Sequence, residues 1–164
     1  MLSPETIRTA PKVLLHDLLD GGLRPSTIIE LARDLGETTL PTYDATELGN
    51  WMASTADRKD LELYLEAFSH TLSVMQTQDS LYRVAAECAE DLANDGIIYA
   101  EVRFAPELHL SKGLTVPQVI ESVLEGFKSG SEGRGIIVNT LICAIRSRTR
   151  SKEMMEHALH FRSR

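Results

Sequence analysis

Hydrophobic positions along the chain form two alternating patterns, short apolar runs and longer amphipathic stretches. The apolar runs predict three strands at residues 12–16, 97–104 and 136–145. These runs are almost continuously apolar, which is typical of strands covered on both faces. Because the strands alternate with helical patterns, the sequence predicts parallel strand–helix–strand units in an α/β domain.

Between the strands, apolar residues recur at intervals of three and four, which predicts amphipathic helices. A short helix is predicted between Ser3 and Pro11. Further helices are predicted from Pro25 to Gly36, within an insertion at residues 41–57, at residues 61–76, from Thr77 to Gly96, from Thr115 to about residue 129, and from Ser151 to Phe161. Several helices therefore separate the first strand from the second.

Chemistry-bearing residues gather at the end of the first predicted strand, in the run His-Asp-Leu-Leu-Asp-Gly-Gly at residues 16–22. If the extended conformation continues, residues 16, 18 and 20 project from one face. His16 could then hold a metal ion and Asp20 a substrate hydroxyl, whereas the hydrocarbon of Leu18 has no lone pair to offer. Taken alone, His16 is better explained as a hydrogen-bonded residue at a strand end, whereas for Asp20 the substrate-binding role is favoured over that of a turn residue.

Residues 11–25, Pro-Lys-Val-Leu-Leu-His-Asp-Leu-Leu-Asp-Gly-Gly-Leu-Arg-Pro, resemble the opening of adenosine deaminases, zinc hydrolases of the amidohydrolase superfamily that read His-x-His-Leu-Asp-Gly. Residues 99–106, Tyr-Ala-Glu-Val-Arg-Phe-Ala-Pro, look like the second barrel strand of that family. The resemblance runs from about Pro11 to the C-terminal end. It implies a partial (β/α)8 TIM barrel with about three β/α units of the eight, and with helical insertions between strands one and two.

The resemblance also implies roles for individual residues. His16 matches a zinc ligand, and Leu18 stands where the family has its second zinc histidine. Substrate-binding roles are implied for Asp20, which matches a ribose-binding residue, and for Leu61, Tyr64, Leu65 and Phe68 of a hydrophobic lid helix. An ordinary core helix would show the same apolar stripe, so both interpretations of that helix stay open.

Several family residues have no counterpart in this sequence. The third zinc histidine, the catalytic Glu, a second-shell His and a pair of Asp residues come from later strands of the family barrel. The 164 residues also fall short of the roughly 250 of a complete barrel, so residues 1–164 are expected to form a single incomplete barrel domain. We expect no catalytic residue within this chain, no stoichiometric zinc although zinc is the family cofactor, and self-association through exposed barrel edges.

The charge and composition of the chain argue against nucleic-acid and membrane partners. A net charge of −7 argues against a nucleic-acid surface, and the locally basic residues 146–164 are typical of a solvated helix and its flanking loop. No apolar run reaches membrane-spanning length and the N-terminus lacks a signal-peptide core, so a cytoplasmic protein is expected. Cys88 and Cys143 have no C-x-x-C spacing and are expected to be reduced thiols. Glu101 and Arg103 share the inward face of the second strand, where an ion pair is expected.

The function implied by the resemblance is hydrolytic deamination of adenosine to inosine in purine metabolism, with a purine nucleoside as the small-molecule partner. The alternative is a non-enzymatic barrel fragment that acts as an interaction module or binds purines weakly. Related adenine deaminases usually carry Glu where this chain has Asp20, which favours a nucleoside over a free base. The lack of a long N-terminal extension disfavours a nucleotide deaminase.

Overall fold

The computed structural model describes residues 2–57 and 61–163, apart from the side chains of residues 61–64 and 66. Within these ranges, strands β1 (Lys12–Leu18), β2 (Ile97–Phe104) and β3 (Ile137–Ile142) form one parallel sheet in the order β1-β2-β3. The helices are α1 (Pro4–Thr9), α2 (Pro25–Leu35), α3 (Ala45–Ala56), α4 (Leu61–Val74), α5 (Gln78–Asn94), α6 (Val116–Ser131) and α7 (Ser151–Phe161). Short 3₁₀ turns follow β1 at Leu19–Gly21 and β2 at Pro106–Leu108. The predicted α/β class with three parallel strands is confirmed.

The strand boundaries differ from the predicted ones where a partner strand sets the limit. Strand β2 begins and ends as predicted, whereas β3 ends at Ile142 rather than at residue 145. The last pair of the ladder is Phe104 with Ile142, so the residues after Ile142 have no further β2 residue to pair with. Only the Cys143 amide still donates to the Phe104 carbonyl, at 2.9 Å.

Side-chain caps explain where the helices begin. Thr77 accepts from the Ser80 amide at the start of α5, and Thr115 accepts from Gln118 at the start of α6. Asp44 caps α3 by accepting from the amides of Thr46 and Glu47. These contacts satisfy amides that have no partner within the helix itself.

The hydrophobic core lies between the sheet and the helices packed on its outer face. Ala100, Val102 and Phe104 of β2 are all buried on that face. The core also includes Leu81, Val84 and Ala85 of α5, and Val119, Ile120 and Val123 of α6. β2 is the central strand of the sheet, and its carboxyl end lies beside the carboxyl end of β1.

The opposite face of the sheet is open. Val13 and Leu15 of β1 are 58% and 59% exposed, and Ile137 of β3 is 62% exposed. Val13 and Ile137 both pair with Tyr99, so these residues form one apolar row across the three strands. A sheet of three strands does not close on itself, which leaves this row in contact with solvent.

Among the helices that the structure describes, none has both the length and the apolar character that a membrane span requires.

Candidate functional site at the carboxyl ends of β1 and β2

The end of β1 contains a β-bulge at His16. The ladder pairs Leu14 with Ala100 and then Asp17 with Val102, so β1 advances three residues where β2 advances two. His16 takes a positive φ of 66°, which is uncommon for a residue other than glycine. The expectation that residues 16, 18 and 20 share a face through simple strand alternation is therefore wrong, because a bulge interrupts the strand and Asp20 lies in a 3₁₀ turn.

Arg103 of β2 nevertheless brings these residues together. Its Nη1 donates to Nε2 of His16 at 2.8 Å, and its Cα pairs with that of Leu18. Its charge also acts on the Asp20 carboxyl group. A guanidinium has no acceptor, so Nε2 of His16 must be the unprotonated nitrogen and Nδ1 carries the proton. The Arg103 Nε is buried without a hydrogen-bond partner among the described residues.

The expected ion pair between Glu101 and Arg103 is wrong. Glu101 Oε1 accepts from the Tyr99 hydroxyl at 3.1 Å, and that hydroxyl accepts from Asn139 Nδ2 at 3.1 Å. Arg103 contacts His16 on the neighbouring strand instead. Glu101 is therefore satisfied by Tyr99 on its own strand and Arg103 by His16 on the neighbouring strand β1, so the two charged groups do not pair with each other.

Asp20 is a buried carboxyl group with unused hydrogen-bonding capacity. Its side chain sits in the 3₁₀ turn after β1, only 8% exposed. Burial raises the pKa of Asp20 above its ordinary value, and a backbone hydrogen bond and the Arg103 charge offset only part of this effect. Its Oδ1 has no hydrogen-bond partner within the described ranges. Oδ1 is therefore an unused acceptor, which a ligand would satisfy only by reaching into this turn.

A cavity of about 200 Å³ opens beside Asp20. It is lined by Asp20, Gly21, Met52, Thr55, Ala56, Ala67, Phe68 and Thr71. The Phe68 ring covers Gly21 so closely that a Cβ there would lie 3.2 Å from the ring. A glycine at this position therefore lets helix α4 approach the turn that carries Asp20.

The predicted lid residues do not all reach this cavity. Phe68 lines it, whereas Leu65 is 52% exposed and is absent from its lining. The side chains of Leu61 and Tyr64 lie outside the described residues. Substrate-binding roles for these four residues and for Asp20 stay predictions.

The donors at this strand end do not fit a catalytic zinc ion. Leu18 offers only hydrocarbon, and the Nε2 lone pair of His16 accepts from Arg103. Catalytic zinc usually has three protein ligands. In the described part of the chain, no group of three or more His, Cys, Asp and Glu residues is placed to hold a metal ion.

Two polar residues near this site were not singled out from the sequence. His109 is fully buried, its Nδ1 donates to the Met75 carbonyl at 3.0 Å, and burial lowers its pKa to about 4. Gln76 donates to the Leu108 carbonyl and accepts from the Ser111 amide and hydroxyl. Together they attach the loop after β2 to the end of α4. The apolar neighbours of His109 are the only sequence signal of its burial.

The sequence of the chain is similar to adenosine deaminases along nearly its whole length. The sequence model of the adenosine deaminase family matches residues 11–164. The chain is 58% identical over 165 residues to adenosine deaminase 1 of Streptomyces coelicolor, with 98% of this chain and 42% of that protein covered. It is 54% identical over 164 residues to the adenosine deaminase of Mycobacteroides abscessus, with 97% of this chain and 45% of that protein covered. The chain thus spans less than half the length of these relatives.

Solved structures give a similar result for the fold. Arabidopsis ADAL in complex with GMP superposes with a TM-score of 0.78 at 28% identity, covering 96% of this chain and 48% of that one. A Burkholderia ambifaria amidohydrolase with bound Zn superposes with a TM-score of 0.75 at 19% identity, covering 96% of this chain and 44% of that one. The second likeness concerns the fold alone.

Proposed function

The chain belongs to the adenosine deaminase family, and from this premise we propose that it forms the nucleoside-binding part of a (β/α)8 barrel hydrolase that converts adenosine to inosine. The observation that carries the proposal is the free, buried Oδ1 of Asp20 beside a cavity lined by Phe68. Three of the eight β/α units of such a barrel are represented by β1, β2 and β3 and their helices.

Asp20 and Phe68 supply complementary contacts for a nucleoside. A ribose hydroxyl both donates and accepts, so it can bond Asp20 whether the carboxyl group is ionised or protonated. The Phe68 ring offers apolar surface that excludes water from the same space. The cavity volume of about 200 Å³ is below the range typical of whole ligand sites, roughly 300–1,000 Å³. We therefore place one end of the nucleoside in the cavity and the rest over the open face of the sheet.

We further propose that these 164 residues bind the nucleoside without turning it over. Deamination needs an activated water and a group that moves protons to the leaving amine. Arg103, His16 and Asp20 can bind and orient a ligand, but no two of them form a pair that activates water and passes a proton to the leaving amine. A spectrophotometric assay should show no loss of adenosine absorbance with this chain, and turnover would contradict the proposal.

Calorimetric titration with adenosine, inosine and adenine tests the binding site. Both nucleosides should bind more tightly than adenine, which lacks ribose. Asp20→Asn should weaken adenosine binding by about tenfold, as expected for one hydrogen bond to a charged group. Asp17→Asn is the matched control, because Asp17 faces Cys88 of α5 at 4.0 Å and should leave binding unchanged. Equal binding of adenine, or an unaffected Asp20→Asn variant, would refute the assignment.

A second function is favoured by the open surfaces. A groove of about 780 Å³ runs along α6 and β3, and its lining includes Leu124, Phe127 and Ile137. None of the predicted site residues lines this groove. Together with the exposed row on the sheet, it supports self-association of the chain. Light scattering after size exclusion should show oligomers that Ile137→Thr weakens, whereas a monomer at all concentrations would exclude this role.

We assign the protein to the cytoplasm and to a small-molecule partner. Cys88 and Cys143 are both free thiols, which is typical of a reducing compartment. The net charge of −7 argues against a nucleic-acid partner. Fractionation of cells and detection with an antibody would test the compartment.

A further inference from the structure

We propose that neutral His109 is a positioning residue, which holds the end of helix α4 on the loop after β2 and so keeps Phe68 and Thr71 at the Asp20 cavity. His109 does not line that cavity, so it acts through the helix and not by touching a ligand. Its effect on a ligand rests on the nucleoside site proposed above, whereas its effect on α4 follows from contacts within the protein alone.

Two buried side chains join the end of α4 to the loop after β2 (residues 105–115). Nδ1 of His109 donates to the carbonyl group of Met75, the residue after α4, at 3.0 Å. Nε2 of Gln76 donates to the Leu108 carbonyl at 3.0 Å, and its Oε1 accepts from the Ser111 amide at 3.0 Å. Helix ends leave backbone carbonyl groups without helical partners, so these side chains supply what the helix itself cannot.

Thr71 connects this end of α4 with the cavity. It lies four residues before Met75, about one helical turn, and it lines the cavity together with Phe68. Thr71 is buried, and its hydroxyl donates to the Phe68 carbonyl at 3.1 Å. A shift of the helix end away from the loop therefore moves both lining residues.

The surroundings of His109 suit a neutral ring and not a protonated one. The side chain is fully buried, and its ring centroid lies 6.1 Å from that of Phe104. Its Nε2 has no hydrogen-bond partner among the described residues. A proton on Nε2 would therefore be a buried charge without an acceptor. Burial accordingly lowers the pKa of His109 to about 4, although the hydrogen bond to Met75 favours the charged form.

Nearby charges do not offset this cost within the described ranges, because burial and the Met75 hydrogen bond are what set the pKa of His109. The ionisable residues of the surrounding elements have other neighbours: His70 of α4 faces Trp51, Arg103 of β2 faces His16, Glu107 faces Ile145, Lys112 faces Glu37, Asp79 of α5 is exposed, and Glu121, Glu125 and Lys128 of α6 line the groove beside β3. Acid therefore favours release of His109 from the helix end.

Amide hydrogen exchange measured by NMR tests this hold. Release lets the imidazole titrate at its ordinary pKa of 6.5, so the opening constant of the Ser111 amide should rise about 20-fold from pH 7 to pH 5, after correction for intrinsic exchange. Ser111 should also open at a lower free energy than Val102 of the central strand, which is expected to exchange on global unfolding. A pH-independent Ser111 amide, or equal opening free energies for Ser111 and Val102, would overturn the proposal.

Variants separate the charge of His109 from its hydrogen bond. His109→Gln keeps a donor for Met75 but cannot titrate, so the pH dependence of Ser111 opening should disappear. His109→Leu has no donor and should raise the opening constant at both pH values. His157→Gln is the matched control, because His157 lies on α7, 3.9 Å from Glu153, and should keep the wild-type pH dependence. An unchanged pH dependence in His109→Gln would contradict the role of His109, and the wild-type series decides the matter if His109→Leu does not fold.

Adenosine tests the connection between the helix and the site. If adenosine needs Phe68 and Thr71 in place, adenosine at about ten times its dissociation constant should lower the Ser111 opening constant about tenfold. Adenosine that binds in calorimetry but leaves Ser111 opening unchanged would overturn this connection. A chain that binds no adenosine refutes the nucleoside site instead, and the pH series still decides whether His109 holds α4.

Discussion

Helices α5 and α6 approach each other so closely that two glycines of α6 have no room for a side chain. A Cβ at Gly130 would lie 2.2 Å from the Ala86 carbonyl oxygen, and one at Gly126 would lie 2.3 Å from the Tyr82 carbonyl oxygen. Both neighbours are backbone atoms, so a rotamer change cannot relieve the clash. We predict that Gly130→Ala destabilises the fold by forcing the two helices apart.

The magnitude follows from two opposing effects. Alanine is favoured over glycine inside a helix by about 1 kcal/mol. Against this, an ordinary contact of 3.4 Å requires a shift of about 1.2 Å, the difference from the 2.2 Å separation, and overpacking of a tight core costs about 1–3 kcal/mol. Because the shift affects the whole buried interface between α5 and α6, we take the upper value. The free energy of unfolding should fall by about 2 kcal/mol.

Gly49 of α3 provides a matched control. Its Cβ would lie 3.4 Å from Cγ of Pro25, an ordinary contact, so Gly49→Ala should stabilise the chain by about 0.5–1 kcal/mol. Urea unfolding followed by far-ultraviolet circular dichroism measures both variants. With a slope of about 2 kcal/mol per molar urea, Gly130→Ala should lower the midpoint by about 1 M. A Gly130→Ala variant as stable as wild type would refute the packing argument.

Three further predictions use the same unfolding assay or a thiol reagent. Burial lowers the pKa of His109 from 6.5 to about 4, so the unfolded chain takes up the proton at a higher pH than the folded chain does. The free energy of unfolding should therefore fall by about 3 kcal/mol as the pH drops from 6.5 to 4. The variant His109→Gln should abolish this pH dependence, whereas the control Met154→Ala should retain it. Burial raises the pKa of Asp20, so its ionisation destabilises the fold as the pH rises, and Asp20→Asn should be more stable than wild type at pH 7 but not in acid. Burial raises the pKa of the Cys88 thiol to about 12, so in a Cys143→Ser background it should react with a disulfide reagent far faster in urea than in buffer; equal rates would contradict its burial.

The ends of a strand are predictable from the sequence where a glycine or a proline next to the strand marks them. Strand β2 lies between Gly96, whose φ is 82°, and Pro106, and both ends match the prediction. The bulge at His16 has no such signal, because a positive φ at a histidine depends on the neighbouring strand. The end of β3 likewise depends on the length of β2, which no local pattern of β3 contains.

The sequence points to several residues at this end of the sheet, but not to the contacts that they make. The family resemblance singles out His16, Asp20 and Phe68, and the last two meet at one cavity. The hydrogen bond between Arg103 and His16 joins residues 87 positions apart, and the sequence gives no sign of which neighbour Arg103 selects. Tertiary packing decides that choice.

Buried polar atoms without a hydrogen bond are concentrated at the carboxyl end of the sheet. In the described part of the chain, six buried side-chain atoms have no hydrogen-bond partner, and four of them belong to Asp20, Arg103, Glu107 and His109. These four residues lie at or just beyond the carboxyl ends of β1 and β2. Glu107 Oε2 still lies 4.0 Å from Arg148 Nη1, whereas a buried polar atom with no partner at all typically costs a fold about 1–3 kcal/mol. Parallel α/β proteins bind ligands at the carboxyl ends of their strands, so a ligand that pairs with these atoms would recover part of that free energy on binding.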